Sequence, residues 1–239
     1  MTPFIAEFIG TMLLILLGNG VVANVSLDKT LGNSGSWLLI TIGWGLAVFI
    51  GVFVAGSISG AHLNPAVTLG FAIEGSFDWA NVPGYLLAQL TGAMTGAGLV
   101  WLHHKPHYDI TEDEGAILGT FSTGPAIRKP LFNLISEIIG TFVLVFAAFN
   151  IVGAKVGDTS ATLGALDALP IALVVIVIGI SLGGTTGYAI NPARDLGPRI
   201  MHTILPIPKK GSSDWPYAWI PVVGPCIGAA LAAFVFMSL

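Results

Sequence analysis

The chain has 239 residues, of which 54% are apolar and only 9% charged, whereas an ordinary soluble domain carries about 25% charged residues. This shortage of charge excludes a soluble domain and a disordered chain, and the net charge of −4 excludes a basic surface for nucleic acid. A single cysteine, Cys226, allows no internal disulfide and no multi-cysteine metal site. Composition therefore predicts a polytopic membrane protein, and the 31 glycines indicate closely packed helices.

Six apolar stretches are long enough to cross a bilayer as helices, which takes about 20 residues each. They lie near residues 4–25, 37–57, 81–102, 131–153, 168–187 and 217–238. We therefore predict an all-α membrane protein with six transmembrane helices. If the amino terminus is cytoplasmic, Lys155 is the only basic residue in an inside loop, so basic residues favour the opposite orientation.

The two halves of the chain match each other at an offset near 130 residues. Segment 6–11 (AEFIGT) matches 136–141 (SEIIGT), and segment 59–66 (SGAHLNPA) matches 186–193 (TGYAINPA). Because each half has three spans, the second copy enters the membrane from the opposite side, which makes an inverted repeat. We predict one domain over residues 1–239, with internal repeats at about 1–103 and 131–239 joined by loop 104–130.

Two pairs of glycines also occupy matching positions in the two halves. They are Gly92 and Gly96 in the first half, and Gly224 and Gly228 in the second. This Gly-x-x-x-Gly spacing lets the backbones of neighbouring helices approach closely. We predict that both pairs pack helices together.

Segments 57–75 and 184–204 are apolar enough to enter the membrane, yet each contains Asn-Pro-Ala. Asparagine is a preferred N-cap, and proline suits the first helical position after it. Each segment therefore predicts an irregular run followed by a half-helix of about 10 residues that begins after Asn64 or Asn191. Irregular backbone at membrane depth is tolerated only inside protein or along a water-filled cavity, so the two hairpins should meet near the midplane.

The groups at this meeting point predict a pore for neutral hydroxylated solutes. Half-helix amino termini each carry about +0.5 of a charge and repel cations, and the two asparagine carboxamides donate hydrogen bonds to a passing oxygen. An oxygen that accepts from both amides must point its own hydrogens away along the pore, which interrupts a proton wire. A polar stripe of backbone carbonyls facing an apolar wall would suit neutral hydroxylated solutes. The carbonyls expected to line the pore belong to Gly60, Ala61, His62, Leu63, Gly187, Ala189 and Ile190.

Segments 59–68 (SGAHLNPAVT) and 187–195 (GYAINPARD) resemble the major intrinsic protein (aquaporin) superfamily, and the resemblance covers essentially the whole chain. Asp195, Arg199, Pro221 and segment 119–123 (GTFST) resemble its glycerol-facilitator (aquaglyceroporin) branch. The resemblance implies a passive channel for glycerol and water that excludes ions and protons. It also implies a homotetramer in the lipid bilayer of a bacterial plasma membrane, with both termini cytoplasmic and with no cofactor, metal or catalytic residue.

The same resemblance implies a selectivity filter at Trp44, Gly179, Tyr188 and Arg194. It also implies that Glu7 and Glu137 support the two re-entrant loops as hydrogen-bond acceptors. Tyr188 departs from the phenylalanine usual in bacterial glycerol facilitators. That departure leaves open a channel mainly for water, urea, hydrogen peroxide or undissociated lactic acid.

Two other functional classes remain as alternatives. An ion-coupled secondary transporter also uses inverted repeats and broken helices, but it needs a titratable pair at the midplane, where this sequence has two amides. An intramembrane enzyme would need a nucleophile elbow, a His-Glu-x-x-His motif or paired aspartates within the spans. The sequence contains none of these, so a channel is the favoured prediction.

Overall fold

The computed structural model describes residues 1–153, 155–156 and 159–239. Within these residues the chain forms ten α-helices and one antiparallel pair of two-residue strands. The helices are α1 (Pro3–Ser26), α2 (Trp37–Ser59), α3 (Pro65–Glu74), α4 (Val82–His103), α5 (Lys105–Ile110), α6 (Glu114–Gly119), α7 (Pro130–Asn150), α8 (Leu169–Ser181), α9 (Pro192–Ile204) and α10 (Ile220–Met237). The strands are β1 (Lys155–Val156) and β2 (Thr159–Ser160), with Lys155 opposite Ser160 and Val156 opposite Thr159.

Six of the helices are long and apolar enough to cross a membrane, which confirms the predicted number of spans. They are α1, α2, α4, α7, α8 and α10, of which α4, α8 and α10 are each preceded by a 3₁₀ turn. The protein is therefore a multi-pass membrane protein. We name the side where α1 begins at Pro3 and α10 ends at Met237 the proximal side, and the opposite side the distal side.

The ends of two spans differ from the sequence prediction. α7 ends at Asn150 rather than near residue 153, and α8 ends at Ser181 rather than near residue 187. After α8, residues Gly183–Thr185 form a 3₁₀ turn that leads into the second re-entrant segment. Segment 182–187 (LGGTTG) contains a Gly-Gly pair that favours a turn, but a hydropathy window of about 20 residues averages over it.

The matched glycine pairs pack helices together in both halves, as predicted. A Cβ atom on Gly92 would lie 2.4 Å from the carbonyl oxygen of Phe8, and one on Gly228 would lie 2.4 Å from that of Ile138. No side chain fits at these distances. α4 therefore packs directly on the backbone of α1, and α10 on that of α7.

The two short helices α3 and α9 begin immediately after the asparagines, as the sequence predicts. α3 has 10 residues, and α9 has 13, three more than expected. α3, which belongs to the first half, packs against α10 of the second half, while α9 packs against α4 of the first. Each short helix therefore packs on a span of the other half, and these contacts join the two halves.

The segment 104–129 is not a simple loop, since it contains α5 and α6. Asp113 caps α6 by accepting a hydrogen bond from the backbone N–H of Gly115 at 2.8 Å. The buried hydroxyl of Tyr108 lies 2.6 Å from Oγ1 of Thr120, and burial raises the pKa of Tyr108 above its usual value. These contacts hold the following residue, Phe121, fully buried on the distal side.

Candidate functional site: a conduit between the two halves

A cavity of about 380 Å³ lies between the two halves and runs from Arg194 and Trp44 to Asp167 on the proximal side. The lining includes apolar side chains, which are those of Leu14, Val48, Val52, Val67, Phe71, Leu144, Ala148, Ile151, Ile171 and Val175. It also includes the residues of the two re-entrant loops, namely Gly60, Ala61, His62, Leu63, Asn64, Tyr188, Ala189, Ile190 and Asn191. The conduit lining thus combines apolar side chains with the backbone and amide groups of the loops.

Asn64 and Asn191 are linked across the centre of the conduit by reciprocal hydrogen bonds. Nδ2 of Asn64 donates to the carbonyl oxygen of Ile190 at 2.8 Å, and Nδ2 of Asn191 donates to that of Leu63 at 2.9 Å. Each carboxamide has two N–H donors, so one donor on each remains for a solute. The carbonyls of Leu63 and Ile190, expected to face the pore, are therefore already engaged by the asparagines.

The side-chain oxygens of the same two asparagines cap the half-helices. Oδ1 of Asn64 accepts from the N–H of Ala66 at 2.9 Å, and Oδ1 of Asn191 accepts from the N–H groups of Ala193 and Arg194. With the oxygen held by the helix terminus, the amide nitrogen must face the conduit centre. Capping therefore fixes which end of each carboxamide meets a solute.

The two re-entrant loops share an unusual backbone conformation. The φ angles of Ala61 and Leu63 are +50° and +51°, and those of Tyr188 and Ile190 are +38° and +43°. Residues with a side chain rarely adopt such angles, which cost about 1–3 kcal/mol each. Bonds from elsewhere in the fold must therefore hold both loops.

Glu7 and Glu137 supply these bonds from the second turn of α1 and the third turn of α7, where both are buried. Glu7 accepts the backbone N–H groups of His62 at 2.9 Å and Leu63 at 2.7 Å. It also accepts from Ser59 Oγ and Gln89 Nε2. Glu137 accepts from the N–H groups of Ala189 and Ile190 and from the hydroxyl of Thr186, at 3.0, 2.9 and 2.7 Å.

Sequence reasoning missed Ser59, Thr186 and Gln89 as members of these two clusters. Ser59 and Thr186 are the first residues of the matched segments 59–66 and 186–193, so the repeat itself marked them. Gln89 is a fully buried amide within the span α4, and polar side chains in apolar spans are the signal that could have found it.

Trp44 and Arg194 lie together at the distal end of the conduit. The Arg194 guanidinium carbon is 4.2 Å from the centroid of the Trp44 ring, a distance at which a cation is attracted to an aromatic face. Nη1 of Arg194 also donates to Oδ1 of Asn19 at 3.4 Å and to the carbonyl of Phe121 at 3.3 Å. Sequence reasoning did not single out Asn19 or the role of Phe121.

Tyr188 separates Gly179 from the conduit. A Cβ atom on Gly179 would lie 2.9 Å from Cζ of Tyr188, and one on Gly183 would lie 2.4 Å from Cδ1 of the same ring. The tyrosine ring thus packs against both glycines, and its hydroxyl is buried without a hydrogen-bond partner among the described residues. Gly179 and Gly187, both expected at the pore, do not line the cavity, and Gly187 instead lies against Thr123.

Asp195 and Arg199 form a fully buried ion pair beside the second half-helix, with Nε 2.8 Å from Oδ1. Asp195 also accepts from the N–H and hydroxyl of Thr123, and Arg199 donates to the carbonyls of Thr123 and Ser213. The pair therefore ties α9 to two distal segments rather than lining the conduit. Pro221 is buried in the first turn of α10.

The family described as "Major intrinsic protein" matches residues 1–236, which include both re-entrant segments. The chain belongs to this family. This major intrinsic protein is 60% identical over 236 residues to the "Glycerol uptake facilitator protein" of Streptococcus pneumoniae (strain ATCC BAA-255 / R6), and the match covers 99% of this chain and 98% of the relative. "Glycerol uptake facilitator protein 3" of Lactiplantibacillus plantarum is 53% identical, with 98% and 95% covered.

Among solved structures, the aquaglyceroporin from Plasmodium falciparum matches with a TM-score of 0.83 and 34% sequence identity. The match covers 98% of this chain and 93% of that one. The fold of this major intrinsic protein, with its six spans and two half-helices, is therefore shared over nearly the whole length of a distant relative.

Proposed function

We propose that this protein is a passive channel for glycerol and other small neutral solutes, including water, and that it excludes ions and protons. The observation that carries the proposal is the conduit itself, where two linked asparagines and the two re-entrant loops share the lining with apolar side chains of the spans. The relatives that are named glycerol uptake facilitators support glycerol as the solute.

The geometry suits a solute with hydroxyl groups along one edge and carbon atoms along the other. A hydroxyl oxygen at the centre accepts from the free N–H groups of Asn64 and Asn191, while free carbonyls of residues 60–62 and 189 accept the hydroxyl protons. The carbon backbone faces side chains such as Leu14 and Val48. A lining that combines a few polar groups with apolar side chains therefore favours polyols over larger apolar or fully hydrated species.

Cations meet unfavourable charge at two levels of the conduit. The amino termini of α3 and α9 both point to the centre, where each carries about +0.5 of a charge. Arg194, which lines the conduit, adds a full positive charge at the distal end. A water molecule that accepts from both asparagines turns its hydrogens away from its neighbours, which interrupts proton transfer.

An ion-coupled transporter fits the conduit less well. Among the described lining residues the one carboxylate is Asp167, and it lies exposed at the proximal end rather than near the asparagines. Coupling needs a titratable group at the midplane, and the centre holds two amides. We therefore favour a channel over an ion-coupled transporter. We also propose that the protein is not an enzyme, in line with the relatives that are named facilitators.

We further propose one channel domain with repeats 1–103 and 131–239, assembled as a homotetramer with one conduit per subunit in a bacterial plasma membrane. The proximal side would then be cytoplasmic. Matching positive φ angles in the two loops and equivalent roles for Glu7 and Glu137 support the repeat. A protease site placed after Leu239 and cleaved only in inside-out vesicles would support this orientation, and cleavage only in right-side-out vesicles would reverse it.

Stopped-flow light scattering of proteoliposomes tests the transport function. We expect glycerol and water to cross well above empty vesicles, without saturation and without dependence on a sodium or proton gradient. Urea, hydrogen peroxide and undissociated lactic acid are each tested in separate experiments, because Tyr188 leaves open the order of their permeabilities. A glycerol rate equal to that of empty vesicles, or transport that requires an ion gradient, would contradict the proposal.

A further inference from the structure

Asn19 is a buried amide in the distal third of the apolar helix α1. It is fully buried, and its Nδ2 donates to the carbonyl oxygen of Phe121 at 3.1 Å. Its Oδ1 accepts from Nη1 of Arg194, and that same nitrogen also donates to Phe121. Because Phe121 requires a donor and Arg194 requires an acceptor, the carboxamide has one satisfactory orientation. The three groups form a closed triangle behind the conduit wall.

This triangle determines which edge of the Arg194 guanidinium is available to solutes. Nη1 is held on the protein side, while Nε and Nη2 have no acceptor among the described residues. The described residues also include no carboxylate in a salt bridge with Arg194. Neutral acceptors therefore hold this buried charge, and Asn19 supplies the only side-chain oxygen among them. Trp44 covers the guanidinium from another direction.

Comparison of the two halves links Asn19 to Arg194 independently of these distances. At the offset that aligns Glu7 with Glu137, the counterpart of Asn19 is Phe149. At the offset that aligns Asn64 with Asn191, the counterpart of Arg194 is Val67, in the first turn of the first half-helix. Val67 and Phe149 both pack against one apolar cluster. Where the half-helix carries an arginine, the neighbouring span thus carries an amide, and where it carries valine, the span carries phenylalanine.

We propose that Asn19 is a positioning residue of the selectivity filter, which acts through Arg194 by holding the guanidinium against the wall and so keeping the conduit wide enough for a polyol. This inference rests on the proposed channel function. Without the Asn19 oxygen, the arginine loses one of its two acceptors and turns toward water and solute in the lumen. Glycerol, which is wider than water, should be obstructed more.

The test measures the ratio of glycerol to water permeability in proteoliposomes. Asn19→Leu keeps the side-chain size and removes both hydrogen bonds, whereas Asn19→Asp keeps an acceptor for Arg194. Thr11→Val is the matched control, because Thr11 is equally buried on α1 and its hydroxyl has no partner among the described residues. We expect Asn19→Leu to lower the ratio by at least about threefold, with Asn19→Asp nearer to wild type and Thr11→Val unchanged.

A double-mutant cycle separates positioning from general destabilisation. If Asn19 acts through Arg194, Asn19→Leu has no further effect on the ratio in an Arg194→Ala background. An effect of the same size in that background, or a wild-type ratio in Asn19→Leu, would overturn the proposal. Asn19→Ser, with a hydroxyl too short to bridge both partners, is used in the same cycle if Asn19→Leu does not fold.

Failure of the proposed function gives a different result from failure of this inference. Wild-type vesicles that move no glycerol would contradict glycerol as a solute. The same variants are then compared by their ratio of urea to water permeability, where the dependence on Arg194 is still expected. A ratio that is the same in all variants would again overturn the role of Asn19.

Discussion

The indole ring of Trp44 lies directly against Gly18, so that a Cβ atom on Gly18 would be 2.3 Å from both Cε3 and Cζ3 of the ring. The ring cannot keep its place if this glycine gains a side chain. Since Arg194 lies over the same ring, a displaced indole must move the guanidinium or enter the conduit.

We therefore expect Gly18→Ala to lower glycerol permeability at least about threefold while water permeability falls less, because overpacking of this kind forces shifts worth about 1–3 kcal/mol. Gly20→Ala is the control on the same helix, since a Cβ atom there meets nothing within 4 Å. Stopped-flow light scattering measures the glycerol and water permeabilities of the two variants at equal protein density in the vesicles. Equal loss in the two variants would contradict a specific effect on Trp44.

Tyr188→Phe removes a buried hydroxyl that has no hydrogen-bond partner among the described residues. The ring should stay between Gly179 and Gly183, so we expect a less polar wall and a higher ratio of glycerol to water permeability. Thermal stability should not fall, because no hydrogen bond is lost. Tyr217→Phe is matched, since its hydroxyl is also buried and unpartnered among the described residues, away from the conduit lining. Unchanged ratios in Tyr188→Phe would reject the effect.

Glu137→Gln should destabilise the second re-entrant loop. One carboxylate oxygen accepts from the N–H of Ala189 and the other from that of Ile190, so either orientation of a glutamine amide places its NH₂ against one of these donors. Leaving one buried N–H unpaired costs about 1–3 kcal/mol. Thermal unfolding in detergent measures the loss. Glu74→Gln, whose acceptor contact is with the exposed Ser76, should unfold as wild type does, and equal stability in both variants would contradict the supporting role.

Asp195→Asn leaves the Arg199 guanidinium buried without its carboxylate. Removing one partner of a buried ion pair typically destabilises a protein by about 3–5 kcal/mol, and here it also weakens the bonds to Thr123. We expect a lower unfolding temperature and faster proteolysis of segment 104–129. Arg128→Gln, which breaks an exposed pair with Asp214, serves as the comparison. If the two variants are equally stable, the buried pair does not hold this segment.

The number of spans and the starts of the half-helices were predictable because both depend on local properties. Hydropathy over about 20 residues identifies a membrane helix, and Asn-Pro fixes a helix start through capping and the restricted backbone of proline. The end of α8 was mispredicted because hydropathy averages over Gly183 and Gly184, a pair that favours a turn. Hydropathy also missed α5 and α6, since segment 104–129 is polar and each helix has only six residues.

The sequence did not show in the same way which side chains and backbone groups come together at the conduit. Gly179 has no side chain, and its sequence position gives no sign that the Tyr188 ring would cover it. Asn19 was passed over because a single amide in an apolar helix shows no partner in the sequence. The sequence predicted carbonyls of Leu63 and Ile190 at the pore, but it did not show that each accepts a hydrogen bond from the asparagine of the opposite loop.

The sequence alone determined the class of protein, its six crossings and the two points where the half-helices begin, because composition, periodicity and capping act over neighbouring residues. The tertiary structure decided which residues line the conduit and which hydrogen-bonding groups remain free within it. Those properties depend on distances between residues far apart in the chain, such as Gly18 and Trp44, or Asn19, Phe121 and Arg194. Such distances exist only once the two halves have packed together.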